Sequence, residues 1–363
     1  MSACEASGEA HSSLLVRTLK ERHPEIDIDA VGGQLIARAG ANVIESRDDF
    51  SVVGLAEGLS TLPAHVGALR RLRKRFEAGQ YDLVILVDYP GFHLRLAAAA
   101  SHAGIPVLYY IAPQLWAWGS WRVRSLRKHI RQIAAVLPFE TTYFNDRGVA
   151  AAFVGHPLLD REDLPTAAAA RAKLGLTSQG PILGLLPGSR RSEVDRMWPC
   201  FRDAAMRLSK NNPSLRVLVA AVDGNEYPGA PGFVYHRVDS ANVIVAADAV
   251  LCKSGTATLE AAVADTPMVV AYRMHPVSYM AARWVVRVPH VSLPNLIAER
   301  EICPEFIQGD VTPQALAAAV EPLLEESGEA AARQRRAFAE VRTKLGGPGA
   351  TGRVVQLVEQ MVG

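Results

Sequence analysis

Short apolar runs rich in leucine and β-branched residues recur along the chain, and segments of helical periodicity separate them. Nearly every position in these runs is apolar, which is typical of parallel strands covered by helices on both faces. Four runs lie in each half: 83–87, 107–111, 133–137, 151–154, 182–186, 215–219, 249–251 and 268–271. Two such sets predict an α/β protein with two doubly wound parallel-sheet domains.

The boundary between these domains is predicted within residues 160–170, where charged residues and Pro165 interrupt the pattern. With 363 residues, 49% of them apolar, the chain can bury two cores of ordinary size. We assign residues 1–163 to an N-terminal domain and 164–328 to a C-terminal domain. Residues 329–363 are predicted to form helices, because Ala, Glu and Arg predominate there.

The composition argues against several classes of protein. The net charge is only +2, so nucleic acid is not an expected partner. The four cysteines are scattered and form no metal-binding pattern, which predicts a reducing, cytoplasmic environment and no bound metal. No apolar run approaches the ~20 residues of a membrane span, and the N-terminus lacks the regions of a signal peptide. Contact with a membrane is therefore expected at its cytoplasmic surface.

The strongest local signal is the strand-to-helix turn Leu-Leu-Pro-Gly-Ser-Arg-Arg-Ser-Glu at 185–193. The backbone N–H groups near Gly188 and Ser189 are predicted to face the carboxyl end of the sheet, where Arg190 adds a permanent positive charge beside an anion. Taken alone, an ordinary structural turn explains this stretch equally well.

A second turn of the same kind follows the run at 249–251, where Ser254, Gly255 and Thr256 open the next helix. Two hydroxyls and a glycine at a helix N-terminus suit a diphosphate, and Glu260 could accept hydrogen bonds from ribose hydroxyls. Helix capping would explain the two hydroxyls. It would not explain the glycine or the paired turn, so the pair favours nucleotide binding.

Two residues at strand ends in the first half are candidates for the chemistry, and both are predicted to face the cleft between the domains. Asp88 is a candidate general base, because partial burial raises the pKa of a carboxyl group toward the working range. Its structural alternative is helix capping or initiation of the turn at Pro90. His156 is a candidate proton shuttle or phosphate contact, and a hydrogen bond to the backbone is its alternative.

Two basic segments predict contact with lipid. Segment 114–131 holds three tryptophans and five basic residues without an acid, and Trp116 and Trp118 are candidates for membrane-surface contact. Segment 69–76 predicts an amphipathic helix with a cationic face. The cations proposed for lipid contact are Arg70, Arg71, Arg73 and Lys74. A packed core stripe with a solvated basic face is the alternative for each segment, but both together favour anionic lipid or a phosphorylated lipid substrate. Nucleic acid is the competing partner, yet no nucleic-acid-binding signature accompanies them.

Ten short stretches occur in an order that resembles the lipid-A-disaccharide synthase family, and they span residues 5 to about 325. They are 5–8, 53–57, 87–90, 112–118, 137–140, 154–157, 186–190, 254–260, 272–276 and 291–296. The resemblance implies two facing Rossmann-like domains of the GT-B type. It also implies transfer of 2,3-diacylglucosamine from its UDP donor to the 6-hydroxyl of 2,3-diacylglucosamine 1-phosphate. The product is an inverted β-1,6 linkage plus UDP, with no metal, no cofactor and no covalent enzyme intermediate.

By position, the resemblance implies that Asn295 contacts the donor. It implies that Glu5, Ser7 and Gly8 line the acceptor side. It further implies a homodimer at the cytoplasmic face of the inner membrane, and a last helix that returns to the first domain. Two alternatives stay open: a UDP-sugar transferase or epimerase with another acceptor, and a catalytically disabled nucleotide-sugar or membrane-surface binding protein.

The loop at 5–9 would normally follow a buried strand, yet only four residues precede it. We therefore expect the first strand of the N-terminal sheet to be missing. We also expect the natural chain to begin upstream of Met1.

Overall fold

The computed structural model describes residues 1–46, 62–161, 165–176, 180–286, 288–325 and 328–363. The stretch 53–57, one of the ten that carry the family resemblance, lies outside the described residues. The chain forms two compact units. Unit 1 comprises Met1–Asp160 and Leu345–Gly363, and unit 2 comprises Arg161–Lys344.

Unit 1 is built on a parallel sheet of seven strands in the order β3-β2-β1-β4-β5-β6-β7. The strands are β1 (Ser2–Ala3), β2 (Asp29–Gly32), β3 (Asn42–Ser46), β4 (Val84–Val87), β5 (Val107–Tyr110), β6 (Gln132–Ala135) and β7 (Ala151–Phe153). The helices between them are α1 (Ala6–Arg22), α2 (Gln34–Arg38), α3 (Leu62–Glu77), α4 (Pro90–His102), α5 (Val123–His129) and α6 (Pro138–Asn145).

The central strand β1 has only two residues. Ser2 pairs with Val31 of β2 and with Leu86 of β4, and the N–H of Val31 donates to the carbonyl of Met1 at 2.9 Å. Because these ladder bonds use main-chain groups, two residues connect the neighbouring strands without forming an apolar run that a sequence could reveal. The expectation that the first strand is missing was therefore wrong.

Unit 2 contains a parallel sheet of six strands in the order β10-β9-β8-β11-β12-β13. The strands are β8 (Ile182–Leu186), β9 (Arg216–Ala220), β10 (His236–Val238), β11 (Ala249–Lys253), β12 (Met268–Tyr272) and β13 (Glu305–Ile307). The helices are α7 (Ala167–Lys173), α8 (Arg191–Asn211), α9 (Ser240–Ala246), α10 (Thr256–Val263), α11 (Pro276–Val285), α12 (Leu293–Ala298), α13 (Pro313–Val320) and α14 (Glu329–Lys344).

The central strands of both sheets are buried on both faces, and every residue of β4, β5 and β8 is buried. Along β8, Leu183 and Leu185 belong to one apolar cluster, while Ile182 and Leu186 belong to another. Alternate side chains thus enter two cores, one on each face of the sheet. This arrangement confirms the predicted class of two doubly wound α/β domains.

The last helix, α15 (Ala350–Val362), belongs to unit 1 and packs against α1. The carboxylate of Asp160, where the first segment of unit 1 ends, accepts hydrogen bonds at the beginning of this helix. The donors are the N–H groups of Gly349, Ala350 and Thr351 and the hydroxyl of Thr351. Asp160 therefore satisfies N–H groups that a helix cannot pair internally.

Candidate active site

The strand order of unit 1 reverses between β1 and β4, which are neighbours in the sheet although β2 and β3 separate them in sequence. At such a switch point the loops that follow the two strands diverge and leave a crevice, where doubly wound proteins bind ligands. Residues 5–8 follow β1, with Glu5 as the N-cap of α1 and the other three in its first turn, and Asp88 follows β4. A Cβ atom on Gly8 would lie 3.6 Å from the carbonyl of Val87, so the beginning of α1 packs against the end of β4. The predicted base and acceptor-side loop are therefore adjacent.

Asp88 is half-buried and precedes the N-cap of α4, which is Tyr89. Both residues adopt left-handed backbone conformations, with φ values of 53° and 49°. Non-glycine residues rarely adopt this conformation, and functional sites are enriched in such strained positions. The N–H of Asp88 donates to the carbonyl of Tyr110 at 3.3 Å. This bond connects Asp88, the first residue of the strained turn, to the end of β5.

The other residues predicted for unit 1 have more varied surroundings. Glu5 is the half-buried N-cap of α1, and its side chain does not cap that helix. The side chain of Ser7 lies outside what the structure describes. His156 is buried, and its Nδ1 accepts the N–H of Leu158 at 3.2 Å. Burial lowers the pKa of His156 to about 3, so the ring is neutral at physiological pH. These contacts favour the structural alternative for His156 over a proton shuttle.

Unit 2 has a switch point between β8 and β11. The turn 188–190 follows β8 and leads into α8, and the turn 254–256 follows β11 and leads into α10. The two turns predicted to bind a nucleotide therefore lie at the carboxyl ends of neighbouring strands. This is the position at which α/β folds bind phosphates.

The carboxylate of Glu193 binds the N–H groups of the first turn. Its Oε2 accepts the N–H groups of Ser189 at 3.2 Å and Arg190 at 3.4 Å, and its Oε1 accepts the ammonium of Lys253 at 2.9 Å. Gly188 permits this approach, because its φ is 126° and a Cβ atom would lie 2.7 Å from Oε2 of Glu193. The N–H groups predicted for a ligand are thus paired with a carboxylate of the chain itself. Arg190 is exposed.

Sequence reasoning missed Glu193 and Lys253, which connect the two turns. A glutamate three residues after the N-cap is the capping-box signal that could have identified Glu193. Burial raises the pKa of Glu193, but Lys253 and the loop N–H groups outweigh burial, so the pKa lies below its ordinary value. Lys253 also lies 5.3 Å from the ring centroid of Tyr272. The ion pair fixes a positive charge directly before the second turn.

The second turn is more open than the first. Gly255 and Thr256 are exposed, and no side chain of the N-cap residue Gly255 occupies the N-terminus of α10. Ser254 differs, because its hydroxyl donates to the carbonyl of Val291 at 2.6 Å. Glu260 lies one turn into α10, and burial raises its pKa against the opposing effect of Arg161. The N-terminus of α10 therefore remains suited to an anion.

Asn295, predicted to contact the donor, is fully buried at 0% exposure. Its Nδ2 donates to the carbonyl of Cys303 at 2.9 Å and to the carboxylate of Glu305 at 2.8 Å, and its Oδ1 accepts the N–H groups of Ile302 and Cys303. Glu305 also accepts the N–H and hydroxyl of Ser292. Because the amide of Asn295 is fully engaged within the chain, the geometry assigns it to loop architecture rather than direct donor contact.

The tryptophan segment divides into an inner and an outer part. The indole N–H of Trp116 donates to the buried carboxylate of Glu140 at 3.1 Å, so this ring supports the fold of unit 1. Trp118 and Trp121 are 46% and 61% exposed, and the guanidinium carbon of Arg122 lies 5.1 Å and 6.0 Å from their ring centroids. We call Trp118, Trp121 and Arg122 the aromatic–arginine patch. The predicted contact by Trp116 is not favoured, whereas Trp118 is available.

The predicted amphipathic helix at 69–76 lies within α3, and its apolar side faces the core of unit 1 through Leu72 and Phe76. The alternative of a packed stripe with a solvated basic face therefore describes α3. Two of the proposed cations pair with carboxylates, Arg71 with Glu45 and Arg73 with Glu77. Arg70 and Lys74 are exposed, and no carboxylate of the described residues pairs with them.

Within the described ranges, no helix is both long and apolar enough to cross a membrane. Across the same part of the chain, no three histidine, cysteine, aspartate or glutamate side chains converge as metal ligands do. The four cysteines are buried thiols, and burial raises the pKa of Cys4 and of Cys252 to about 12.

Comparisons with known proteins agree with this architecture. The model of the family described as lipid-A-disaccharide synthetase matches residues 1–352. A lipid-A-disaccharide synthase from Anaeromyxobacter sp. (strain K) is 39% identical over 367 residues, which cover 98% of this chain and 95% of that protein. Another, from Myxococcus xanthus, is 36% identical over 371 residues, with 99% and 96% covered.

Among solved structures, the UDP-GlcNAc 2-epimerase of Neisseria meningitidis has a TM-score of 0.65 at 12% identity and covers 97% of both chains. MurG of Acinetobacter baumannii has a TM-score of 0.59 at 15% identity, with 99% of this chain and 98% of that chain covered. Such likenesses show a shared fold. The full-length family match and the sequence relatives show more: the chain belongs to the lipid-A-disaccharide synthetase family.

Proposed function

We propose that the protein is an inverting glycosyltransferase that joins UDP-2,3-diacylglucosamine to 2,3-diacylglucosamine 1-phosphate. The products are the β-1,6-linked disaccharide 1-phosphate and UDP. One observation carries the proposal: in a chain of this family, each unit presents its predicted ligand turns at the switch point of its own parallel sheet.

Asp88 is the proposed general base. Its carboxylate accepts the proton of the acceptor's 6-hydroxyl while that oxygen attacks C1 of the donor sugar. The new bond forms between C1 and the acceptor oxygen, and the bond from C1 to the diphosphate oxygen breaks. Direct displacement of this kind inverts the configuration at C1 and requires one positioned base, which a strand end in a rigid sheet supplies.

The second turn of unit 2 is the proposed site of the diphosphate. The N–H groups of Ser189 and Arg190 already bind Glu193, so a phosphate could use them only after that carboxylate moved. The N-terminus of α10 at Gly255 and Thr256 requires no such displacement. Its partial positive charge, with Lys253 beside it, would stabilise the charge that develops on the departing UDP.

Glu260 and Arg190 complete the proposed donor site. Glu260 lies on α10, one turn beyond the proposed diphosphate position, where a carboxylate can accept hydrogen bonds from ribose hydroxyls. Arg190 is exposed beside the first turn and is a permanent cation, which suits a phosphate oxygen.

Acylated substrates also require a place for their chains, and we assign the membrane-facing role to the aromatic–arginine patch. Exposed indole rings beside a guanidinium group suit the depth of lipid headgroups and their phosphates. Arg70 and Lys74 on α3 supply further cations for the cytoplasmic face of the inner membrane. The homodimer rests on the family resemblance, and sedimentation of the purified protein at several concentrations tests it.

The decisive assay measures UDP release from the acylated donor and acceptor by purified protein, with Asp88→Asn as the test variant. Asp82→Asn is a matched control, because Asp82 is an exposed aspartate six residues earlier in the same unit. We expect transfer by the wild type and the control, and loss of at least about a hundredfold in kcat for Asp88→Asn. Equal activity of Asp88→Asn and wild type would refute the proposed base. Equal turnover of UDP-GlcNAc without acyl chains would refute the proposed substrate class.

Membrane contact is tested separately with vesicles that contain anionic or only zwitterionic lipid. We expect the double variant Trp118→Ser/Trp121→Ser to bind anionic vesicles more weakly than wild type. The control is Val234→Ser, which removes an exposed apolar side chain from unit 2. Equal binding by the double variant and the wild type would contradict the role of the patch.

A further inference from the structure

We propose that His93 and Tyr109 are positioning residues that hold the strained Asp88 turn and thereby aim the Asp88 carboxylate. The inference rests on the proposed role of Asp88 as base. It assigns a function to two buried side chains that make no direct contribution to the chemistry described above.

The turn requires external support. Asp88 and Tyr89 are consecutive non-glycine residues with positive φ, and such conformations persist only where the surroundings enforce them. Tyr89 is the N-cap of α4, and its carbonyl accepts the N–H of His93 at 3.2 Å. The carbonyl of Asp88 lies one residue before this N-cap.

Two side chains meet at that carbonyl. The phenol of Tyr109 donates to it at 2.7 Å, and Nδ1 of His93 lies 2.5 Å from it. A carbonyl oxygen can only accept, so Nδ1 of His93 must carry a hydrogen. Two donors on one oxygen oppose rotation of the peptide plane that follows Asp88. Such a rotation would change the backbone conformation of Asp88 and displace its carboxylate.

The ring of His93 is itself held by a hydrogen bond at its other nitrogen. His93 is fully buried, and burial lowers its pKa to about 4, so the ring is neutral at physiological pH. Because Nδ1 carries the hydrogen, Nε2 must be an acceptor, and the hydroxyl of Ser2 lies 2.8 Å from it. Ser2 belongs to β1, His93 to α4 and Tyr109 to β5. The carbonyl is therefore tied to three elements around the switch point.

The expected effect is on the rate of the chemical step. A general base must lie within hydrogen-bond reach of the proton it removes, and displacements of about 1 Å lower rates by on the order of a hundredfold. Loosening of the turn should therefore reduce kcat and leave the KM values of donor and acceptor unchanged. A purely structural role would reduce activity only in proportion to the folded fraction.

Two histidine variants separate these roles. In His93→Asn the side-chain amide can occupy the place of Nδ1 and donate to the carbonyl of Asp88. In His93→Gln the longer side chain carries its amide toward the place of Nε2, away from that carbonyl. Both introduce a neutral amide into the same buried site, so their structural costs are similar.

The experiment measures kcat, both KM values and thermal unfolding for His93→Asn, His93→Gln and Tyr109→Phe. We expect His93→Asn to keep kcat within about threefold of wild type. We expect His93→Gln and Tyr109→Phe to lower kcat by roughly tenfold to a hundredfold with unchanged KM values. Tyr109→Phe removes one oxygen from a buried ring, so it decides the matter if both histidine variants fail to fold.

Equal kcat for His93→Asn and His93→Gln in folded protein would overturn the inference, as would wild-type kcat for Tyr109→Phe. A loss of activity that matched the unfolded fraction would overturn it as well. Failure of the proposed function has a different signature: an inactive wild type, or an Asp88→Asn variant as active as wild type. An active wild type, an inactive Asp88→Asn and fully active Tyr109→Phe would reject the positioning role alone.

Discussion

Replacement of Asp160 by alanine should release the beginning of α15. The carboxylate accepts three backbone N–H groups, at 2.6 Å from Gly349, 3.1 Å from Ala350 and 2.8 Å from Thr351, and the hydroxyl of Thr351 at 2.8 Å. Asp160→Ala removes all four interactions at once. No residue at the N-cap position itself can replace them, because Gly349 has no side chain.

The magnitude follows from two contributions. Loss of an N-cap acceptor costs about 0.5–2 kcal/mol, and loss of a negative charge at a helix N-terminus costs about 0.3–1 kcal/mol. Ala350 and Thr351 are buried, so water replaces the carboxylate poorly at their N–H groups. We therefore expect a loss near the upper end, about 2–3 kcal/mol. Asp160→Asn keeps an acceptor but loses the charge, and should cost about 1 kcal/mol.

Native-state hydrogen exchange measures this effect at α15 itself. A loss of 2–3 kcal/mol corresponds to amide protection in α15 lower by about 30- to 150-fold, with unit 2 unchanged. Asp82→Ala serves as the control, since it removes an exposed carboxylate elsewhere in unit 1. Wild-type exchange rates throughout α15 in Asp160→Ala would refute the assignment of Asp160 as its cap.

Three further outcomes follow from unit 2. Gly188→Ala should displace the Glu193 carboxylate, because the new Cβ would lie 2.7 Å from its Oε2 at a φ of 126°. Lys253 would then lose the carboxylate that holds it beside the proposed diphosphate site, so we expect weaker UDP binding by calorimetry, and unchanged affinity would contradict this. Glu193 has a lowered pKa, so its pairing with Lys253 stabilises unit 2 above pH 4.5 and is lost as the pH falls through the folded-state pKa. The free energy of unfolding measured in urea should therefore fall more steeply with decreasing pH for the wild type than for Glu193→Gln. Parallel pH profiles for the two proteins would reject the ion pair as the cause. Asn295→Asp would place a carboxylate where two donors are needed, and should cost about 3–5 kcal/mol in urea unfolding; a variant as stable as wild type would show that this network is dispensable.

Each apolar run matched a strand, whereas β1, β2, β3, β10 and β13 had no run to mark them. The run at 182–186 coincides with β8, and the run at 107–111 differs from β5 by one residue. Strands β1, β10 and β13 gave no such signal, because they have only two or three residues and edge strands need not be apolar on both faces. Hydrogen bonds between main-chain groups define these strands, and such bonds leave no pattern of side chains in the sequence.

Predictions for the site depended on what a motif can specify. Strand-end turns were placed well, since parallel topology brings the carboxyl ends of neighbouring strands together. The sequence did not predict which group accepts hydrogen bonds from the N–H groups of the first turn. The carboxylate of Glu193 competes there with an external anion, and only the three-dimensional geometry shows that Glu193 binds them. Asn295 shows the same limit, because its position in a family motif did not reveal that its side chain is fully buried.

The path of the chain through its two units bears on the order in which they fold during synthesis. Unit 2 is continuous, whereas unit 1 is interrupted after Asp160 and resumes at Leu345. The ribosome therefore completes all of unit 2 before it makes α15. Until then, the surface of α1 that α15 covers is exposed, and Asp160 has no helix to cap. Since domains fold as units, we expect unit 2 to reach its native state first, with unit 1 completed only after α15 has been made.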